Sequence, residues 1–326
     1  MGVSPPTIDV ERARAIREAA APPVSADLAS FVAEIGPEGP VVVEGGRTRW
    51  ERGGSPDPAA RVVRAPAGIV EYVPEEMTVR VGAGTPVADL HAALAAHGQR
   101  TTLPERGGTV GGALAVGESD IHRLGRGPVR DAVLEVRYVT AEGRLARAGG
   151  PTVKNVTGYD LCRLLVGSLG RLGALGEVVV RTWPVPPAER WLAVDADPDV
   201  VLAEAVGATA VLWDGEKVVV HLEGHAEDLE ATVASLRRRG GVTEVEGPPS
   251  LPPHRHSVAP AGLAAHVRGL GGRWVAEMGV GVVHADEPAP PRRLDPTVVE
   301  LHRRLLDALD PRRRFNPGRR LEGVEA

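Results

Sequence analysis

Hydrophobic residues recur along the chain at two spacings, one typical of helices and the other of short strands. Leu28, Phe31 and Ile35 fall at helical spacing, and a glycine follows them directly. Short apolar runs broken by glycine and proline predict several strands between residues 40 and 84. A Thr-Pro pair and a closing glycine frame a second predicted helix over 85–98.

The pattern changes at a group of prolines near residue 187, where we place a domain boundary. The predicted order beyond it, as far as about residue 250, is strand, helix, strand, strand, helix, strand, which is the ferredoxin-like arrangement. Further strands are predicted over 273–286. The last predicted helix starts at Pro296, with Val298 and Leu301 among its inward-facing residues. An exposed helix is also expected over 7–20.

The composition is that of a globular chain: 326 residues and 34.2 kDa, with 43% hydrophobic and 25% charged residues. Its 40 glycines and 29 prolines make up about a fifth of the chain, against a usual ~12%, and predict many tight turns and close backbone approaches. The net charge of −5 argues against a nucleic-acid partner. The lone Cys162 cannot ligate an iron–sulfur cluster and fits a reducing compartment.

Several classes of protein are excluded by their missing motifs. The chain has no Gly-Lys of a P-loop, no G-x-S-x-G, no H-E-x-x-H and no G-x-G-x-x-G placed between a strand and a helix. His254, His256 and His266 match no zinc spacing, so we predict solvated or capping histidines and no metal site. No leader pattern and no long apolar run are present, so we expect a cytoplasmic chain without a transmembrane segment.

Three glycine-dense loops remain as candidate chemistry, each next to a predicted strand or helix. The first loop, VVVEGGRTRW, contributes Gly45, Gly46 and Thr48. The second loop, LPERGGTVGGALAVGES, contributes Pro104, Gly107, Gly108, Thr109, Gly111 and Gly112. The third loop, KNVTGYDLCRLLVGSLGRLGALGEVVV, contributes Asn155, Gly158, Tyr159, Gly167 and Gly173. Bare glycine amides at a helix start are suited to a pyrophosphate, although glycines that only make turns would give the same pattern.

The second and third loops, with the segment between them, resemble the PCMH-type FAD-binding domain of the vanillyl-alcohol-oxidase and D-lactate-dehydrogenase flavoproteins. Within that superfamily the Lys-Asn-Val-x-Gly-Tyr-Asp segment and the following Gly-x-x-Gly-x-Leu-Gly are similar to those of glycolate oxidase E subunits. The tail DPRRRFNPGRR is similar to the tail of the same group and supplies Asn316.

The resemblance implies an α+β fold, with a two-subdomain FAD-binding domain at 24–187 and a small ferredoxin-like cap with an FAD-contacting tail at 188–326. The first and second loops would hold the pyrophosphate of FAD, and the third would wrap its adenosine or ribityl part. Relatives that bind flavin covalently use a histidine in the first loop. This first loop has none, which implies non-covalent FAD.

The resemblance also implies an FAD-dependent oxidoreductase subunit that oxidises a small 2-hydroxy acid, or assists its oxidation. Electrons would pass to a partner, with an iron–sulfur protein and a larger flavoprotein as expected subunits and attachment to the inner membrane through them as a further option. The His-rich cap motif of catalytic subunits is reduced here to His284 and Glu287. The catalytic base is therefore unknown, with His284 as a weak candidate. The alternative is a non-catalytic FAD-binding electron-transfer or assembly subunit.

Overall fold

The structure, a computed structural model, describes residues 23–150, 160–290 and 294–320. The helix predicted over 7–20 lies outside these residues. The helices are α1 (Ala26–Ile35), α2 (Val87–Ala95), α3 (Val110–Val116), α4 (Arg123–Arg126), α5 (Leu161–Leu165), α6 (Pro198–Glu204), α7 (Ala226–Arg237), α8 (Leu263–Val267) and α9 (Pro296–Leu309). No helix in the described ranges has the length and apolar character needed to cross a membrane.

Sixteen strands are described, and they confirm the α+β class. In the first half they are β1 (Val41–Val43), β2 (Arg61–Val63), β3 (Ile69–Val73), β4 (Thr78–Gly82), β5 (Gln99–Arg100), β6 (Val133–Val139), β7 (Leu145–Gly149), β8 (Ala174–Arg181) and β9 (Trp183–Pro184). In the second half they are β10 (Ala188–Asp195), β11 (Ala208–Trp213), β12 (Val218–Gly224), β13 (Gly241–Val245), β14 (His254–Ser257), β15 (Trp274–Glu277) and β16 (Val282–Ala285).

A five-stranded antiparallel sheet in the order β3-β4-β8-β6-β7 forms the centre of the first half. Leu90 and Leu94 of α2 and Leu114 of α3 pack against buried valines of this sheet, because the apolar positions of each helix share one face. Beside it, β1 and β2 form a parallel pair whose core includes α1 and Phe315 from the far end of the chain.

A seven-stranded sheet in the order β13-β10-β12-β11-β15-β16-β14 organises the second half. Its first four strands, with α6 and α7, have the ferredoxin-like connection that the sequence predicts. The sheet then continues past this unit through β15, β16 and β14. Helices α6, α7 and α8 cover one face of the sheet. On the other face, Leu212 and Val275 pack against Ile121, which follows the second loop.

The last helix is only partly as predicted. It begins at Pro296, and Asp295 caps it by accepting a hydrogen bond from the Thr297 amide. Leu306 is the buried residue of this helix, whereas Val298 is 38% and Leu301 53% exposed, so the inward orientation predicted for these two was wrong. Beyond the helix, Phe315 pairs with Val41, which brings the tail against the first loop.

Candidate functional site

The three glycine loops and the tail converge on one elongated cavity of about 800 Å³, including its open mouth, which we call the first cavity. The described residues that line it are Val43, Glu44, Gly45, Gly46, Arg47, Thr48, Arg49, Trp50, Arg52, Ala65, Ala83, Gly84, Thr109, Gly111, Gly112, Ala115, Val116, Leu169, Gly170, Gly173, Ala174, Leu175, Asn316 and Arg319.

The first loop passes so close to the second that it has no room for side chains at its two glycines. A Cβ at Gly45 would lie 2.4 Å from Thr109 Oγ1, and a Cβ at Gly46 would lie 2.8 Å from the Cα of Gly108. Residues 45–48 line the first cavity, and their backbone amides have no hydrogen-bond partner among the described residues. Adjacent free amides of this kind can bind the oxygens of a phosphate.

The second loop differs from its predicted role. The α3 amides are already partnered: Gly111 donates to the Ala83 carbonyl at 2.7 Å, and Gly112 donates to Thr109 Oγ1 at 3.2 Å. Val110 likewise donates to the Thr85 carbonyl at 2.9 Å. The start of this seven-residue helix therefore does not offer bare amides to a pyrophosphate, as the sequence had suggested. The amides without partners are instead those of the first loop, at residues 45–48.

The tail joins the first loop to the third through Asn316. Its Oδ1 accepts a hydrogen bond from the Val43 amide at 3.0 Å, and its Nδ2 donates to the carbonyls of Leu169 and Gly170 at 3.0 and 3.1 Å. Arg319 donates to three backbone carbonyls of the segment 50–54. The tail is thus a clamp that fixes two walls of the first cavity.

The predicted binding residues fall into three groups. Eight of them line the first cavity: Gly45, Gly46, Thr48, Thr109, Gly111, Gly112, Gly173 and Asn316. Pro104, Gly107, Gly108 and Gly167 do not line it, and Gly167 borders a second cavity instead. Asn155, Gly158 and Tyr159 lie outside the described residues.

Arg49 lines the first cavity and was not predicted from the sequence. Its side chain is 9% exposed and donates to Thr48 Oγ1 and the Gly107 carbonyl. Its Nη2 atom is buried and has no hydrogen-bond partner in the described structure. A buried donor without an acceptor is costly, and an oxygen atom of a bound ligand would supply the acceptor that this nitrogen lacks. The available signal was an arginine three residues after a Gly-Gly pair, in a chain where nearly all cations are arginine.

A second, wider cavity adjoins the first and shares Arg52, Val116 and Leu169 with it. Glu118 and Arg255 lie in its wall. Glu118 is 7% exposed and has four arginine neighbours. The N···O distances are 3.0 Å to Arg106, 3.4 Å to Arg49, 3.8 Å to Arg52 and 3.9 Å to Arg255. One carboxylate therefore faces four guanidinium groups at the junction of the two cavities.

His284 lies in neither cavity wall. It is buried on β16, and its Nε2 is 2.8 Å from Oε1 of Glu277, which is also buried. Arg255 lies directly opposite His284 in the register of β14 and β16, so both side chains are on the same face of the sheet. His256, predicted to be solvated or capping, is instead buried, and its ring nitrogens are 2.9 Å from Nε2 of His266 and 2.8 Å from the Glu287 carbonyl oxygen.

One side-chain group in the described ranges has metal-ligand types within 4.8 Å of one another: His122, His221 and Glu223. Glu223, however, already accepts hydrogen bonds from Arg100 and Arg126. Burial raises the pKa of Glu223, but these two guanidinium groups outweigh burial and hold it down at about 2. Two adjacent positive charges make this group a poor cation site.

The chain is similar to known FAD-binding proteins. The family described as "FAD binding domain" matches residues 19–149, and the family described as "FAD linked oxidases, C-terminal domain" matches residues 256–319. Glycolate oxidase subunit GlcE of Escherichia coli is 39% identical over 153 residues, which cover 46% of this chain and 44% of that protein. D-lactate dehydrogenase of Archaeoglobus fulgidus is 33% identical over 150 residues, covering 44% of this chain and 33% of that protein.

A solved structure of alkyldihydroxyacetonephosphate synthase matches 90% of this chain and 75% of its own chain, with a TM-score of 0.64 at 14% identity, and so shares its fold. The sequence matches to GlcE and the D-lactate dehydrogenase span less than half the length of those relatives. The predicted family, fold class and cofactor are confirmed, and the similarity predicted for the tail is confirmed by the second family match. Residues 19–149 are thus homologous to FAD-binding domains and residues 256–319 to the C-terminal domain of FAD-linked oxidases, in a chain with a PCMH-type FAD-binding fold and FAD as its cofactor.

Proposed function

We propose that the chain is the FAD-binding subunit of an oxidoreductase that acts on a small 2-hydroxy acid. The observation that carries this proposal is the unpartnered Nη2 of Arg49, next to the free amides of residues 45–48 in the first cavity. A positive charge and a row of free amides fit the diphosphate of FAD. Gly45 and Gly46 let the first loop pass against the second loop, where a Cβ would clash with Thr109 or Gly108.

The two halves of the fold have different roles in this proposal. We propose an FAD-binding domain at 24–187, and a cap with a returning tail at 188–326. FAD supplies the acceptor for the hydride that leaves the carbon bearing the substrate hydroxyl. The protein positions the acid in the second cavity and removes the hydroxyl proton.

His284 remains our candidate for receiving that proton, acting through Glu277. The imidazole is hydrogen-bonded to Oε1 of Glu277, whereas Oε2 of Glu277 is buried and has no partner among the described residues. Glu277 lies two residues after Val275, which is opposite His284, so its carboxylate shares the sheet face that carries Arg255. A carboxylate with a free oxygen and a histidine behind it can accept a proton and pass it on.

GlcE and GlcD are named as subunits of glycolate oxidase, which supports a multi-subunit assembly. We propose an iron–sulfur protein and a larger flavoprotein as the partners, because Cys162, the single cysteine of the chain, lies buried in the core and cannot ligate a cluster. The second candidate function is an FAD-binding electron-transfer or assembly subunit without turnover of its own. It is favoured by the burial of His284 outside both cavities.

Anaerobic titration of the FAD-loaded chain with glycolate, lactate and 2-hydroxyglutarate separates the two functions. Bleaching of the flavin absorbance near 450 nm by one of these acids is expected for the oxidoreductase. Flavin that stays oxidised with each acid, but is reduced once the co-purified partner subunits are added, would support the electron-transfer subunit instead.

A further inference from the structure

The wall of the second cavity consists of two parts with different chemistry. Charged side chains, which include Arg52 and Glu118, line it near its junction with the first cavity. The part made by α5, the turn after it and α9, which we call the apolar wall, contains Leu164, Val166, Leu172, Leu301 and Leu305. None of these five is among the described residues that line the first cavity. We infer that the apolar wall holds a hydrocarbon side chain of the substrate, an inference that rests on the proposed function.

Helix α9 presents apolar residues to the second cavity. Leu301 and Leu305 are four residues apart, so they share one face of the helix, and Leu301 is 53% exposed. A row of ion-paired residues lies on the opposite face, where Arg303 pairs with Glu300 at 2.7 Å and with Asp307 at 2.9 Å. Exposed apolar side chains that line a cavity are typical of a ligand-binding site.

The core of the first half fixes the rest of the apolar wall. Leu172 is 3% exposed and belongs to the same buried cluster as Leu306 of α9, and Leu164 of α5 packs against that cluster. Arg163, a cation in this part of the cavity, is already paired with Asp131 at 2.6 Å. A wall that is formed in advance can bury a ligand with little further cost of ordering.

A 2-hydroxy acid with a hydrocarbon side chain matches both parts of the cavity. Its polar end suits the charged part, and its side chain would cover the apolar wall. Glycolate has no side chain and would leave the apolar wall in contact with water. Each methylene group that moves from water to an apolar wall tightens binding about fourfold. The substrate class that we infer is therefore an acid such as 2-hydroxyisocaproate or phenyllactate, in preference to glycolate.

The test uses the FAD-loaded chain with isocaproate and propionate, two acids that lack the hydroxyl group and so bind without being oxidised. Calorimetry measures both affinities. Isocaproate, which has the longer hydrocarbon chain, should bind at least about tenfold more tightly than propionate. Leu301→Gln and Leu305→Ala should each reduce this ratio at least about threefold and leave propionate affinity within about twofold. The matched control is Val200→Gln, a change at a 38% exposed residue of α6 that lines neither cavity, and it should leave the ratio unchanged.

Circular dichroism and FAD affinity first establish that each variant is folded. If Leu305→Ala does not fold, Leu301→Gln decides the question, because Leu301 is half exposed. Equal affinities for the two acids in the parent chain, no binding of either acid, or a ratio that the α9 variants leave unchanged would overturn the inference. A ratio that falls in these variants, in a chain whose flavin no 2-hydroxy acid reduces, would uphold the apolar wall and refute the proposed turnover. Flavin reduction by glycolate as fast as by 2-hydroxyisocaproate would uphold the turnover and count against the inferred substrate class.

Discussion

Gly111 and Gly112 are neighbours in the sequence, but their surroundings differ. A Cβ at Gly111 would lie 2.8 Å from the Cβ and 2.9 Å from the carbonyl oxygen of Ala83, so this glycine is needed for packing. A Cβ at Gly112 would meet only Thr109 Oγ1, at 3.2 Å, and otherwise open space within the first cavity. The sequence predicts the same role for both glycines, because it does not show that Gly111 packs against Ala83, the residue directly after β4.

The two glycines give a paired prediction at the residue scale. Gly112→Val should fold and lose FAD affinity at least about tenfold, since its side chain occupies cofactor space. Gly111→Val should lose stability, by about 1–3 kcal/mol, because backbone must move to admit it. Chemical denaturation and FAD titration of both variants check this. A folded Gly112→Val protein with parental FAD affinity would remove the second loop from the cofactor site.

Arg49 leads to a second prediction. Arg49→Met should weaken FAD binding by tenfold or more, because a charge-assisted hydrogen bond contributes about 1.5–3 kcal/mol. The difference in FAD affinity between the parent and Arg49→Met should shrink at high salt, because salt screens charge–charge attraction. Arg64→Gln is the control, because Arg64 pairs with Glu44 but does not line the first cavity. Equal losses in the two variants, measured by quenching of FAD fluorescence, would mean that general charge rather than Arg49 is responsible.

The carboxyl group of Asp120 should make the free energy of unfolding depend on pH. Burial raises the pKa of Asp120 from 3.8 to about 6, only partly offset by Arg126 and by the His122 amide that donates to its carboxylate. The folded state therefore favours the protonated form, and ionisation destabilises it as the pH rises through about 6. Asp120→Asn should be about 2–3 kcal/mol more stable than the parent at pH 8 and equal to it at about pH 3, below both the unfolded and the folded pKa. Urea unfolding at both pH values tests this, and a less stable variant at pH 8 would show that the attraction between Arg126 and the Asp120 carboxylate outweighs the effect of burial.

At the scale of elements, local signals predicted the existence of most helices and strands but not all of their contacts. Thr85, from the Thr-Pro pair that marks the start of α2, does not cap this helix: its hydroxyl donates to the Gly82 carbonyl at 2.7 Å, and α2 has no side-chain cap. Strand β14 was missed because its residues, His-Arg-His-Ser, are polar and follow two prolines. Its pairing with β16 overrides that weak propensity.

At the scale of elements, we predict that the tail holds the third loop in place through Asn316. Asn316→Asp keeps the acceptor for the Val43 amide but loses the donor to the carbonyls of Leu169 and Gly170, and brings a negative charge beside them. The third loop should loosen, with FAD affinity reduced at least about tenfold and the melting temperature lowered. Thermal unfolding with and without FAD measures both. Asp307→Asn, a substitution on the exposed side of α9, serves as the control and should change neither.

For the whole molecule, the sequence predicted three separate loops, but their meeting point depends on contacts between distant parts of the chain. The pairing of Val41 with Phe315 spans most of the chain length. The two halves are also joined by Glu223 of β12, which accepts hydrogen bonds from Arg100 and Arg126. Neither contact leaves a local pattern in the sequence. Arg49 and Arg255 likewise look like ordinary arginines in the sequence. They stand out only in the fold, which leaves one side-chain nitrogen of each without a hydrogen-bond partner.

At the scale of the whole molecule, we predict that the flavin is bound without a covalent link. A covalent link needs a nucleophilic side chain, and no histidine, cysteine or tyrosine is among the described residues that line the first cavity. Cys162 lies in the core, with its thiol 3.4 Å from the Ala148 carbonyl oxygen, and burial raises its thiol pKa to about 11, which keeps it protonated and unreactive. Acid precipitation of the yellow protein should therefore leave all of the flavin in the supernatant, where chromatography identifies it as FAD. Flavin fluorescence that stays with the denatured chain on a gel would contradict this and would point to a nucleophile outside the described residues.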